Sequence, residues 1–120
     1  MKKIILLTGL LLLSPLSYAE EPIDSYTAKL SSEDHFNSNG QRLKSAADII
    51  RQDRANYHKF KIRDAEDQND SFFSDQDSRE RIPAMVKKGY IDKETQKSIL
   101  NGTPVIFVNI YRNHIDVSLQ

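Results

Sequence analysis

Val105-Ile106-Phe107-Val108-Asn109-Ile110-Tyr111, then Arg112-Asn113-His114, then Ile115-Asp116-Val117-Ser118-Leu119 closes the chain and decides its fold. Apart from Asn109 the first run is apolar on both alternating faces, as in a central strand covered at least partly on each side. In the second run Ile115, Val117 and Leu119 alternate with His114, Asp116 and Ser118, the pattern of a half-exposed strand. The polar residues 112–114 suit a tight turn, so the segment is a predicted β-hairpin.

A third strand is predicted over 25–31, where Tyr26, Ala28 and Leu30 alternate with Thr27, Lys29 and Ser31. Residues 32–40 are turn-rich and broken by Asn37-Ser38-Asn39-Gly40, with Phe36 expected to fold back into the core. Between the strands lie the helices. Leu43, Ala46, Ala47, Ile50, Tyr57 and Phe60 recur at three- and four-residue steps and predict a helix over 41–59. Residues 61–77 are charged and amide-rich and predict a solvated loop, its end tacked to the core by Phe72 and Phe73.

Ser74 or Asp75 can cap the next helix. Pro83 disfavours a helical Ile82, so two short pieces or one kinked helix should follow, ending at Gly89. Asp92 caps a further helix through Leu100, stopped by Asn101-Gly102. The expected fold class is α+β. An N-terminal strand and the C-terminal hairpin form a small three-stranded sheet, packed by three or four central helices.

The chain begins with Met1-Lys2-Lys3, an aliphatic run over 4–13 and Ser17-Tyr18-Ala19. These are the three parts of a secretory signal, and the apolar run is shorter than the about 20 residues of a membrane span. Residues 1–19 are therefore expected to be a signal peptide cleaved after Ala19. Residues 20–120 would form one small soluble domain in the periplasm or outside the cell. Lys2 and Lys3 leave with the leader, which takes the 17 basic residues to 15 against 17 acidic ones. That balance offers no footprint for nucleic acid, nor for a membrane once the signal is removed. Cysteine is absent, which excludes disulfides, thiolate metal sites, cysteine nucleophiles and a lipid-modified N-terminus.

One anomaly stands out in the helical stripe. Asp53 and Arg54 occupy the seam between Ile50 and Tyr57, where an apolar residue is expected. A carboxylate there needs a partner, since its desolvation costs several kcal/mol, and Arg54, Arg42 and Arg63 are candidates. The cluster continues through Asn56, Tyr57 and His58. Two readings follow. Asp53 belongs to an ion pair that fixes the helix on the sheet, or Arg51, Asp53, Arg54, Asn56, Tyr57 and His58 face a groove and bind a ligand or partner.

Other chemistry has weaker signals. From Asp64 the acidic segment lacks the glycine and closing glutamate of a calcium-binding loop, which favours a solvated loop and no metal. His35, His58 and His114 show no metal-ligand spacing, and no Gly-x-Ser-x-Gly elbow places a nucleophile. No catalytic residue and no cofactor are assigned.

Phe36-Asn37-Ser38, Gly40, Arg42-Leu43, the run 50–58, Arg63-Asp64 and 70–73 resemble small uncharacterised exported bacterial proteins. The resemblance covers about residues 36–73 and implies no activity. Size, export and the polar cluster predict a non-catalytic binding module for another envelope protein, of inhibitor or immunity type. Alternatives are a small hydrolase or nuclease-like toxin domain using His35 or His58 with Asp53 and Arg54, and an envelope accessory or stress protein.

Overall fold

The computed structural model describes residues 20–120; the leader expected at 1–19 lies outside them. Three strands, β1 (Asp24–Lys29), β2 (Val105–Ile110) and β3 (Ile115–Leu119), form one antiparallel sheet in the order β1-β2-β3. Tyr26 lies opposite Val108, and Val108 opposite Val117. Period two then sends Tyr26, Ala28, Ile106, Val108, Ile110, Ile115 and Val117 to one face, where all are buried. The other face of β2, with Val105, Phe107 and Asn109, is half-buried.

Four helices lie between β1 and the hairpin: α1 (Ala46–Ala55), α2 (Gln76–Glu80), α3 (Ile82–Lys88) and α4 (Lys93–Asn101). Ile49 and Ile50 of α1, Ile82 and Met85 of α3 and Ile99 of α4 join the inward face of the sheet in one core. The fold class is α+β. Among the described residues no helix is long and apolar enough to cross a membrane.

The expected helix over 41–59 is corrected at both ends. At the start, Asn37 Oδ1 accepts from the Asn39 and Gln41 amides at 2.9 Å each, and the Leu43 amide donates to His35 O at 2.8 Å. These bonds fold 41–43 back along 35–37, so the helix waits until Ser45 accepts from the Asp48 amide at 3.1 Å. Phe36 consequently sits on the outside, bridged to Arg42 and 38 % exposed, not in the core. At the other end α1 widens into a π-turn, Asn56–Phe60, which stops at Lys61 with φ 61°. The extra residue in that turn carries Phe60 off the apolar stripe, and it is 46 % exposed.

The 61–77 segment is also corrected: its middle docks on the sheet. The Gln68 amide donates to Thr27 O at 2.8 Å, the Thr27 amide to Gln68 Oε1 at 2.9 Å and the Lys29 amide to Asp67 Oδ1 at 2.9 Å. These bonds cover the free edge of β1, which would otherwise be a template for aggregation. Phe73 is buried and Phe72 half-buried, as expected of the tacking pair.

Asp75 caps α2, accepting from the Ser78 amide at 2.8 Å. Ile82 was expected to stay out of a helix before Pro83, yet it opens α3. Its side chain is wholly buried, and about 1.5–3 kcal/mol of apolar burial offsets the steric penalty. Asp92 caps α4, accepting from the Thr95 amide at 2.7 Å. Asp92→Ala is expected to lower stability by about 1 kcal/mol, read as a shifted urea midpoint with an unchanged slope. An unshifted midpoint would show that the cap is dispensable.

Candidate functional site

The last turn of α1 carries Asp53 and Arg54 inward with Ile49 and Ile50, and both are buried. The Arg54 side chain is fully enclosed, with Nε donating to Asp53 Oδ2 at 2.9 Å and Nη1 to Gln68 O at 3.0 Å and Asp70 Oδ1 at 2.8 Å. Its guanidinium lies over the Tyr26 ring of β1 at 3.9 Å and the Tyr57 ring of the π-turn at 4.6 Å. Arg63 lies over the same Tyr57 ring at 4.0 Å. Asp70 accepts three further or shared bonds: from Arg54, from the Phe73 amide at 2.6 Å, and through Oδ1 opposite His58 Nε2 at 2.9 Å.

Two buried atoms in this cluster, Arg54 Nη2 and Tyr26 Oη, have no hydrogen-bond partner among the described residues. Planar stacking on two aromatic faces supplies attraction where the guanidinium lacks a bond. Burial pushes the Tyr26 hydroxyl strongly upward. Burial also holds the Asp53 carboxyl well above the usual range, against the pull of Arg54. For Arg54 burial is the largest single influence and works downward, but Asp53, Tyr26 and Asp70 together outweigh it and the guanidinium stays cationic. His58 is lowered, chiefly by burial, although Asp70 pulls the other way.

The six residues singled out in the sequence divide. Asp53, Arg54, Tyr57 and His58 converge around Asp70. Asn56 turns to a second buried acid, donating to Asp34 Oδ1 at 2.8 Å while accepting from Gln52 Nε2 at 3.0 Å. Arg51 lies apart, half-exposed and paired with Asp48 at 3.1 Å. Of the three candidate cations for Asp53, only Arg54 takes the role. Arg42 donates to Leu100 O at 3.1 Å and Arg63 to Tyr57 O at 3.0 Å.

Asp70, Asp34 and Tyr26 complete the two clusters and were not anticipated from the sequence. Asp70 did carry a signal, since it directly precedes the Ser71-Phe72-Phe73 segment whose rings must reach the core. His35 is buried with Nδ1 facing Ser31 O and Nε2 facing Ile99 O, each at 2.8 Å, and so ties the turn after β1 to the end of α4. His114 stacks on Tyr111 at 4.4 Å within the hairpin turn.

Comparison with protein-family models, curated proteins and solved structures finds no match.

The cluster's chemistry must therefore be judged from its own geometry. His58 Nε2 faces a carboxylate, and among the described residues no serine or threonine hydroxyl bonds to the ring. Among the described residues no group of three or more histidine, aspartate or glutamate side chains is placed to hold a metal ion. Arg54, His58 and Asp70 line none of the hollows that follow, whereas Asn56 and Gln52 of the second cluster line the first of them. Phe36, Phe60 and Ile62, all exposed, line a hollow of about 480 Å³ together with Glu33 and Gln52. A smaller hollow of about 180 Å³ on the other side of Phe60 is lined by Arg51, Lys59, Arg79 and Glu80. A further one of about 500 Å³ at the end of α4 is framed by Glu94, Lys97 and the 101–104 loop, remote from both clusters.

Asp34 gives a pH prediction. Burial pushes its carboxyl up to about 6, although the Asn56 amide and the Ser31 backbone pull back. A folded-state value above the unfolded one, about 3.9, means that its contribution is full below pH 4 and fades as pH rises through 6. The stability of wild type relative to Asp34→Asn should therefore grow as pH falls from 7 to 5, by about 1 kcal/mol. Paired urea titrations at the two pH values measure it, and a difference independent of pH would contradict it. Taking the difference between the two proteins cancels His58, whose lowered value works in the opposite direction.

Proposed function

We propose that this chain is a small exported periplasmic protein that acts by binding another envelope protein, in the manner of an inhibitor or immunity protein, and has no catalytic chemistry of its own. One observation carries the proposal. The convergent titratable groups Arg54, His58 and Asp70 are enclosed and engaged with one another, while large apolar side chains stand exposed at a concave face. An enzyme needs its acids and bases to converge on a pocket that a substrate can enter. Here the Asp70–His58 pair ties the π-turn of α1 to the loop docked on β1, which is scaffolding. A rigid scaffold with an exposed apolar face suits recognition. The leader-like residues 1–19 and the acidic balance of the remainder support export and argue against a nucleic-acid partner.

The test is capture from periplasmic extract by the exported chain, read by mass spectrometry. One stoichiometric envelope protein is the expected result. Capture of none, or turnover of ester or phosphodiester substrates that His58→Ala removes, would replace the proposal with the hydrolase reading.

A further inference from the structure

The two hollows on either side of Phe60 share Ser38, Gln52 and Phe60, so they form one groove with unlike ends. At one end the surface is apolar, built from Phe36, Phe60 and Ile62. At the other Arg51 and Lys59 lie beside Glu80, while the Arg79 guanidinium is buried beneath them, donating to Phe73 O and Ser74 O at 3.1 Å each. Cations also flank the apolar end: the Arg42 guanidinium lies 5.4 Å from the Phe36 ring and Lys59 Nζ 5.2 Å from the Phe60 ring. Lys61 stands between Phe60 and Ile62 in the chain and is exposed.

The acids nearby are Glu33, Glu80, Asp48, which Arg51 engages, and the buried Asp34, which Asn56 engages. Positive charge is thus locally in excess, on a domain that is acidic after the leader is removed. The backbone is shaped to present this face. The π-turn and the left-handed Lys61 expose Phe60 and Ile62 together, and Lys61 is the one described non-glycine residue with positive φ. Such a conformation costs about 1–2 kcal/mol, so it opposes folding unless the rest of the structure imposes it, and strained backbone of this kind concentrates at binding sites.

We infer that the partner docks through an extended acidic segment bearing apolar side chains, an aromatic or aliphatic group seated among Phe36, Phe60 and Ile62 and its carboxylates beside Arg51, Lys59 and Lys61. This rests on the binding reading above and specifies its partner. A protein segment fits better than an anionic lipid surface, because the face is concave where membrane insertion needs a protruding apolar wedge.

The full exported chain is titrated with a short peptide alternating Glu with Phe and Leu, its Lys-for-Glu counterpart, its Ser-for-apolar counterpart, and phosphatidylglycerol vesicles. Only the first should bind, with NMR shifts centred on Phe36, Phe60 and Ile62. Lys59→Glu/Lys61→Glu should weaken it by about tenfold or more, and Phe60→Ser/Ile62→Ser should remove it. Because these are exposed positions, unchanged melting temperatures will show that the losses are local. Binding of the lysine or serine peptide as tightly, an unaffected charge-reversal variant, or vesicle binding through this groove would overturn the inference. Capture of the same envelope protein by wild type and by Phe60→Ser/Ile62→Ser would overturn the groove while leaving the binding reading intact.

Discussion

Arg54→Ala is expected to lower the melting temperature by about 15 °C or more, through a loss of about 3–5 kcal/mol. The side chain is wholly buried, and its removal takes the compensating cation away from Asp53 and Asp70 at once. It also empties the space between the Tyr26 and Tyr57 rings. Breaking a buried pair from one side is the expensive way to break it, because the remaining charge keeps its desolvation cost without its partner.

The neighbours should rank below it in a stated order. Asp70→Asn keeps the shape but loses the charge that faces Arg54 and His58, so it should fall between. Asp53→Asn should cost only about 1 kcal/mol. Among the described residues Asp53 has one side-chain donor, Arg54 Nε, and burial already holds its carboxyl toward the neutral form. Arg54→Lys retains the charge and gives up the planar fork, so it should not restore full stability. Thermal melts of the four variants by circular dichroism decide the matter. If Arg54→Ala were as mild as Asp53→Asn, the cluster would not be what holds α1 against β1.

What the sequence revealed and what it hid divide along the distance between interacting residues. The hairpin, the caps Asp75 and Asp92, and the break between α2 and α3 depend on neighbours a few positions apart, and each was legible. The start of α1 was not. Residues 41–43 satisfy a helical period, but their backbone groups pair with 35–37 across the Asn37–Gly40 turn, and that pairing wins. The run 61–70 reads as solvated because its composition is acidic. Its docking depends on hydrogen bonds to Thr27 and Lys29, some forty positions earlier.

The site shows the same split. Asp53 and Arg54 were conspicuous because they interrupt an apolar stripe, which is a local signal. Asp70, the acid that Arg54 and His58 share, is one of four acidic residues in the stretch 61–70, and only its place just before Ser71-Phe72-Phe73 sets it apart. The groove was hidden for another reason. Phe36 and Phe60 look like core residues by composition, and only the hairpin-like return of 41–43 and the π-turn of α1 bring them to the surface.

Gly89→Ala is the second substitution expected to be severe, and its cause is steric. A Cβ at Gly89 would stand 1.7 Å from Ile115 O and 2.7 Å from Ile115 C. Both are backbone atoms at the start of β3, so no side chain can rotate away. The glycine has φ −97°, a conformation open to alanine, and left-handed strain plays no part. The close approach exists because residues 89–91 seal the outer edge of the sheet. Val117 donates its amide to Tyr90 O at 2.9 Å, and the Tyr90 amide donates to Asp116 Oδ1 at 2.9 Å.

An alanine must push this segment off β3, at a cost of about 3 kcal/mol, which lowers the melting temperature by about 12 °C or more. Two further readouts locate the damage. The Val117 amide should exchange with solvent as fast as a fraying end, and the uncovered edge should drive concentration-dependent association. Gly102→Ala is the control: its Cβ would lie 3.3 Å from Ser98 O, and its effect should stay within about 1 kcal/mol. A Gly89→Ala protein as stable as this control, with Val117 still protected, would mean that the 89–91 segment does not seal β3 in solution.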